Sequence, residues 1–356
     1  MSRDTLFSVL QKDINSFDVE TEISSKDMRL LRVALSCENK RNFFQTSRII
    51  EAGGKDEESV IKVLTEKPEL LRTFPAFAGI QIIDGCPQAC SYCPYPQINR
   101  DVLTSRNEMS LEQFNRVLSQ IFQVAEEAVI SLSVWGEPGL HSQIDKFIDA
   151  CLAYPAFSLI METSGIGWEN GAFQRIRELC GSREHGEERI DWIVSLDALD
   201  MKLYTSLRGK GYREAVAAGE TLISLFPDHT YIQAVRMKGN EEDLEKFYRY
   251  WKEKTDNVII QKYDCFSGFL EERKVTDLSP LKRFPCWHVK RDITVLLDGT
   301  VPLCREDLNN TTILGNLFED SLETIWAAGV KEYKKHIDGN YSELCEQCDE
   351  YYTYNF

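Results

Sequence analysis

The sequence predicts an α/β protein: a partial (β/α)6 TIM-like barrel over residues 77–264, a mostly helical N-terminal extension over 1–76, and a small cysteine-bearing domain over 265–356. Three observations predict it. Short apolar runs alternate six times with longer amphipathic ones between about residues 78 and 263, the pattern of parallel strands joined by right-handed helical crossovers. Six units fall short of the eight that close a full barrel, so the sheet is expected to stay open. After about residue 265 the rhythm breaks into short strands, turns such as Asp298-Gly299 and four further cysteines. Those are the marks of a small domain stapled by metal rather than by a large core.

The extension is charged and mostly helical, with breaks at Gly53-Gly54 and Pro68. Within it, FDVETEISSKDMRLLRVAL reads as a short strand followed by a helix. It resembles the closing strand and helix of sugar-nucleotide cytidylyltransferases, where an acidic residue leads into a Leu-rich helix. The resemblance implies the tail of an upstream nucleotidyltransferase-like domain or a docking element. A plain helical extension packed on the barrel is the other reading.

The barrel units follow in order. Residues 78–84 (AGIQIID) read as a buried strand, and SLEQFNRVLSQIFQVAEE as a helix capped by Ser110. Strand AVISLSV, helix SQIDKFIDACLAY, strand FSLIMET, helix NGAFQRIRELC, strand RIDWIVSLD and a helix through Leu225 come next. Strand TYIQAVRM, helix EEDLEKFYRYWKEK and strand NVIIQKY complete the series. In such an architecture the active residues belong in the loops after the strand C-termini.

Composition narrows the partners. A formal charge of −16 weighs against nucleic acid, whose binding depends on Lys and Arg displacing counterions, and against a membrane surface. No apolar run approaches the roughly 20 residues needed to span a bilayer. The opening MSRDTLFSVLQKDINSF lacks the apolar core of a signal peptide. A cytoplasmic location is expected, where thiols stay reduced. Eleven cysteines there need a use other than disulfides, and an odd number cannot all pair. Metal or cluster ligation is the expectation that spacing must test.

The segment GCPQACSYCPYP sets Cys86, Cys90 and Cys93 in a C-x3-C-x2-C array directly after the first strand. Three thiolates in one short loop can grip three corners of a cubane and leave the fourth iron open to a ligand. A zinc knuckle is the other use of such thiols, but zinc wants a fourth ligand and none of the histidines is close in sequence. This array, with aromatic Tyr92 before the last cysteine, resembles the radical S-adenosylmethionine (SAM) superfamily. The resemblance implies that Cys86, Cys90 and Cys93 hold a [4Fe–4S] cluster whose open iron binds SAM. Reductive cleavage of SAM then gives a 5′-deoxyadenosyl radical that abstracts hydrogen from a substrate.

Later strand ends agree. Trp135-Gly136-Glu137-Pro138 after the second strand resembles the family's Gly-Gly-Glu motif, with Trp135 in place of the first glycine. By that likeness Gly136 lets the backbone approach the cofactor and Glu137 accepts from its ammonium group. Ser195-Leu196-Asp197 and Arg208-Gly209 resemble the S-L-D…R-G pattern of members that carry auxiliary clusters. There Ser195 would contact the cofactor and Arg208 pair with its carboxylate, or Arg208 forms a surface ion pair instead. Asp197 reads as a turn or cap residue.

Cys286, Gly299 and Cys304 stand in a C-x12-G-x4-C array, followed by Cys345 and Cys348 as C-x2-C. This resembles the SPASM/Twitch auxiliary-cluster domains, in the shorter form with a single fully ligated [4Fe–4S] cluster. A zinc site on the same four thiolates is the alternative. Gly299 suits a tight hairpin that brings Cys286 and Cys304 together. The segment CWHVKRDITVLLDGTVPLCREDL is similar to a spirochaete-type SPASM group over residues 1–356, a resemblance that brings no activity with it. Of the other cysteines, Cys37, Cys151 and Cys180 read as helical core residues, and Cys265 as the end of the sixth strand. The aromatic tail Tyr351, Tyr352, Tyr354 and Phe356 reads as a cover for the auxiliary cluster.

The implied enzyme modifies a peptide or protein, takes electrons from a flavodoxin or ferredoxin, and passes one to the auxiliary cluster. A small molecule such as an aminocyclitol is the alternative substrate, and a non-catalytic two-cluster protein the alternative class. Arg305 stands where sulfatase-maturing relatives carry an Asp, which disfavours that reaction. Residues 1–76 do not show the strands-before-helices pattern of a leader-peptide recognition module.

Overall fold

A computed structural model describes residues 31, 33–183, 185–277, 279–280 and 283–353 of the chain. The six expected strands are present: β1 (Phe77–Ile80), β2 (Ala128–Ser131), β3 (Phe157–Thr163), β4 (Ile190–Ser195), β5 (Thr230–Arg236) and β6 (Val258–Lys262). All run parallel, each beside its sequence neighbour. The helix Leu111–Ala125 shows why the periodicity was informative. Ser110 and Gln113 form a reciprocal capping box at its start, and Phe114, Val117, Leu118, Ile121 and Ala125 make its buried stripe. The stretch expected as one helix through Leu225 is two, Met201–Arg208 and Tyr212–Leu225, interrupted at Gly209 and Gly211.

A seventh strand, β7 (Asp292–Val295), comes from the C-terminal segment and pairs in parallel with β1, setting Phe77 opposite Asp292 and Ile80 opposite Val295. The sheet order is β6-β5-β4-β3-β2-β1-β7. The sheet thus extends one strand beyond the six-unit expectation. Four residues preceding a hairpin carry too short a pattern to assign to the main sheet, although Ile293 and Val295 are both buried.

After β7 the chain turns at Asp298-Gly299 into β8 (Thr300–Pro302), which pairs antiparallel with β9 (Ile313–Asn316). Gly299 N–H donates to Leu296 O at 2.9 Å, and Leu296 N–H to Thr300 O at 2.8 Å. Gly299 has φ +84°, and a Cβ there would fall 2.5 Å from Asn316 Oδ1. The turn therefore demands glycine.

The described part of the extension holds helices Lys40–Glu51 and Glu57–Glu66 and a 3-10 turn at Pro68–Leu71. Their apolar faces do not join the main core. Ile49, Val63, Leu64, Leu70 and Leu71 pack with Phe284, Cys286, Val289, Leu303, Tyr333, Cys345 and Tyr351 in a second core. Arg72 locks this arrangement: its guanidinium stacks 3.7 Å from the Trp326 ring and its Nε donates to Val289 O at 3.0 Å. The helices thus bury their apolar faces on the C-terminal segment, while Arg41 also ties the first of them to the barrel, donating to Glu127 O at 3.1 Å. The strand and helix expected over residues 17–35 lie almost wholly outside the described residues. No described helix is long and apolar enough to cross a membrane.

Candidate functional site

Cys86, Cys90 and Cys93 lie in the loop after β1 and line one cavity of about 200 Å³. Tyr92 of the same loop, Gly136 and Glu137 after β2, Ser195 at the end of β4 and Arg208 in the helix that follows it line the same cavity. The loop is pinned at both ends: Cys86 N–H donates to Val102 O at 2.8 Å, and Ser91 N–H to Leu207 O at 2.7 Å. Burial pushes all three thiols up, Cys93 to about 12. The neighbouring charge of Cys90 adds to the rise at Cys93, while Arg208 opposes the rise at Cys90. Thiolates crowded in a dry pocket are held ionised by a bound metal. The donor set fits a cluster.

Gly136 has φ +83°, and a Cβ on it would meet Ile83 O at 2.4 Å and Gly85 O at 3.0 Å. Its glycine identity is therefore set by the backbone that leads into the thiol loop. Glu137 is 2% exposed. Its Oε1 accepts from Gly139 N–H at 3.3 Å and Thr163 Oγ1 at 2.5 Å. Its Oε2 accepts from Ser164 N–H at 2.8 Å and Ser164 Oγ at 2.6 Å. These four donors fill the carboxylate, so an ammonium ligand would take the place of one hydroxyl. Burial raises the Glu137 carboxyl above its usual range, against those hydrogen bonds.

Arg208 is not a surface residue. Its Nη1 pairs with Asp197 Oδ2 at 2.6 Å, its Nε donates to Gln88 Oε1 at 3.2 Å, and Tyr92 OH lies against the same guanidinium. Tyr92 OH donates to Asp197 Oδ2 at 2.5 Å, and Val235 N–H donates to Asp197 Oδ1 at 2.7 Å. Asp197 has φ +66°, which fits the expected turn. Its carboxylate also gathers the β4, β5 and thiol-loop ends, a role its turn position did not signal. Ser195 Oγ donates to Glu162 Oε1 at 3.0 Å, which also accepts from Gln233 Nε2 at 3.0 Å. Sequence reasoning missed Glu162 and Gln233. The available signal was a carboxylate and an amide inside otherwise apolar strand runs.

The four C-terminal thiols converge separately. Cys286 caps the helix Trp287–Arg291, Cys304 follows β8, and Cys345 sits in the short helix Glu343–Glu346 with Cys348 just beyond it. Burial pushes Cys286 up to about 12, with Cys345 adding to the rise. Burial raises Cys304 too, and it responds to Cys348, Cys286 and Cys345. Cys348 Sγ accepts from Glu350 N–H at 3.3 Å. Tyr351 packs in the core that contains Cys286 and Cys345. Tyr354 and Phe356 lie outside the described residues. Cys151 and Cys180 are helical core residues as expected, and Cys265 packs with Leu207, Val235, Met237 and Tyr263. Cys37 departs from expectation: it is exposed and precedes the first described helix.

Parallel strands feeding their C-terminal loops into one thiol-floored cavity define a barrel-type enzyme of metal-cluster chemistry. The chain matches the Radical SAM superfamily over residues 80–250 and the SPASM iron-sulfur cluster-binding domain over residues 286–349. It belongs to the radical SAM superfamily, whose enzymes use a [4Fe–4S] cluster and SAM, and its SPASM domain implies auxiliary iron–sulfur ligation. A protein of uncharacterised function from Treponema pallidum (strain Nichols) is 36% identical over 361 residues, covering 99% of this chain and 98% of that one. Streptococcus suis SuiB bound to precursor peptide SuiA is similar at TM-score 0.58 and 17% identity, covering 98% of this chain and 83% of that one. BtrN in complex with AdoMet and 2-DOIA is similar at TM-score 0.51 and 18% identity, over 79% and 98%. anSMEcpe with AdoMet and the Cp18Cys peptide is similar at TM-score 0.56 and 13% identity, over 78% and 88%. These three likenesses are of fold.

Proposed function

We propose that the chain is a radical SAM enzyme acting on a peptide or protein. In this reading Cys86, Cys90 and Cys93 hold the [4Fe–4S] cluster that binds SAM, and Cys286, Cys304, Cys345 and Cys348 hold one auxiliary [4Fe–4S] cluster. The shared cavity carries the assignment, since five cofactor-facing candidates from the β2 end, the β4 end with its following helix, and the thiol loop line it together. When bound, the cluster and its sulfonium ligand supply one-electron cleavage and hydrogen-atom abstraction.

The chain's own residues do the rest. Asp197 and Tyr92 hold Arg208 beside Cys90, Glu137 ties the β2 and β3 loops, and Gly136 brings those loops onto the thiol loop. Trp135 stacks on Tyr95 with ring centroids 5.5 Å apart and stands 5.8 Å from Phe266, an aromatic wall that excludes water. The proposed division remains 1–76, 77–264 and 265–356, with β7 lent by the last part to the sheet of the second. A flavodoxin or ferredoxin in the cytoplasm supplies the electron, and the auxiliary cluster accepts one from the substrate.

SuiB and anSMEcpe have structures with peptides bound, which supports the peptide reading. The likeness to BtrN in complex with AdoMet and 2-DOIA supports a small-molecule substrate instead. Anaerobic reconstitution tests the assignment. The chain should take up about eight irons, and the Cys86→Ala, Cys90→Ala, Cys93→Ala variant about four. Dithionite-reduced protein should release 5′-deoxyadenosine from SAM; protein loaded with both clusters that never does so is an electron carrier or scaffold. Mass change on candidate peptides then separates the two substrate readings.

A further inference from the structure

The two cavities inside the barrel form one chamber. The first, floored by the thiol loop, shares Ser133, Val134, Glu162, Gln261 and Arg305 with a second of about 120 Å³ that reaches Cys304 and Glu306. A molecule lying between the two thiol sites passes Glu162 and Arg305 and ends against Glu306.

Charge along this wall is unbalanced. Glu162 Oε1 is met only by the neutral donors Ser195 Oγ and Gln233 Nε2. Arg305 is divided between two carboxylates, Asp264 and Glu306, each at 3.1 Å. The other two lining cations are also engaged: Lys262 by Asp349 and Glu350, and Arg208 by Asp197. Glu306 is 4% exposed, and its Oε2 has no hydrogen-bond partner. Native proteins rarely bury a carboxylate oxygen without a donor, and each such oxygen calls for an explanation.

We propose that the chamber binds a substrate group carrying positive charge, an ammonium or guanidinium, received by Glu306 Oε2 with Glu162 as the second carboxylate. This rests on the reading above, in which the chamber is the substrate site. A neutral hydroxyl could meet the orphaned oxygen but would leave Glu162 without a cation of its own, and an anion would be repelled by it. Arg305 is held by Asp264 and Glu306, so it orients Glu306 rather than offering itself to the ligand.

Calorimetric titration of the full reconstituted chain with SAM tests this. The probes are N-acetyl-lysine N-methylamide against its norleucine counterpart, and cyclohexylammonium against cyclohexanol. Each cation should bind about tenfold or more tighter than its neutral partner. Glu306→Gln should abolish that preference and Glu162→Gln weaken it. Stronger binding of the lysine derivative assigns the charge to a peptide side chain, stronger binding of the cyclic amine to a small molecule. Equal binding within both pairs, no binding by either cation, or a preference that survives Glu306→Gln overturns the proposal. Where Glu306→Gln fails to fold, judged by iron content, the wild-type comparison and Glu162→Gln decide it. Release of 5′-deoxyadenosine is measured on the same samples. Intact cleavage without cation preference sinks this inference alone, whereas absent cleavage sinks the functional reading.

Discussion

Arg208 Nη1 and Asp197 Oδ2 lie 2.6 Å apart with neither side chain more than 6% exposed, an ion pair enclosed beside Cys90. Removing one partner of such a pair leaves a buried charge, whereas replacing both by apolar groups is mild. Asp197→Leu should therefore destabilise the iron-free chain by about 3–5 kcal/mol. Asp197→Leu with Arg208→Met should recover much of that loss. Urea unfolding of the three chains checks it, and equal losses for the single and double variants would refute the pairing.

Gly136 and Gly239 make an internal contrast. A Cβ at Gly136 would sit 2.4 Å from Ile83 O in a backbone of φ +83°, while at Gly239 nothing lies within 4 Å. Gly136→Ala should cost at least about 1–3 kcal/mol and impair uptake of iron at the first site. Gly239→Ala should stay within about 0.5 kcal/mol of the parent. Urea unfolding and iron content measured together distinguish strain from simple loss of a ligand.

Glu137 accepts four hydrogen bonds, two at each oxygen. Glu137→Gln keeps the shape but turns one acceptor into a donor that faces other donors. The variant should lose about 1–3 kcal/mol of stability. Its SAM affinity, measured by calorimetry on reconstituted protein, should fall as the β2 and β3 loops separate.

Local patterns in the sequence carried most of the barrel. The strand FSLIMET and the helix cap at Ser110 are decided by residues a few positions apart, and both appear where their patterns put them. The seven cysteines proposed as cluster ligands stood out in the sequence as C-x3-C-x2-C, C-x12-G-x4-C and C-x2-C arrays. What the sequence hid depends on distant neighbours. β7 is fixed by pairing with a strand more than two hundred residues earlier. The partner of Arg208 proved to be Asp197, an identity set by how β4, β5 and the thiol loop meet rather than by spacing. Glu162 gains meaning only because Ser195 and Gln233 arrive beside it on neighbouring strands. The extension's helices were readable, but the surface they cover was not, because Cys286, Cys345 and Tyr351 lie more than two hundred residues away.

His141 predicts an acid-sensitive contribution to stability. Its Nδ1 accepts from Gln143 N–H at 3.1 Å, so the proton sits on Nε2, which donates to Met109 O at 3.1 Å. Burial lowers its pKa below the usual 6.5, against the raising effects of Met109 and Glu108. The unfolded chain therefore takes the proton first as pH falls. The contribution is present in full above pH 6.5 and is lost as pH drops from there through the folded value. His141→Gln, measured by thermal unfolding between pH 7.5 and pH 5, each about a unit or more from that reference, should show a smaller acid-induced drop than the parent. An equal drop would place the sensitivity elsewhere.

The second core sets the last expectation. Ile49, Val63, Leu64, Leu70 and Leu71 pack with Cys286 and Cys345, so the helices of the extension share their apolar contacts with two of the proposed auxiliary ligands. That core is small, and a cluster bridging its cysteines would fix the segments on which the helices rest. Loss of the cluster should then let Lys40–Glu51 and Glu57–Glu66 open locally, before the main sheet does. The loop between them carries Lys55 in an exposed position. Trypsin should cut after Lys55 at least about tenfold faster in a Cys286→Ala, Cys345→Ala chain than in the parent. The Cys86→Ala, Cys90→Ala, Cys93→Ala chain removes iron from the other site and leaves this core intact, so its Lys55 should keep the parent's protection. Equal cutting of both variants would mean that the extension is held by something other than the auxiliary site.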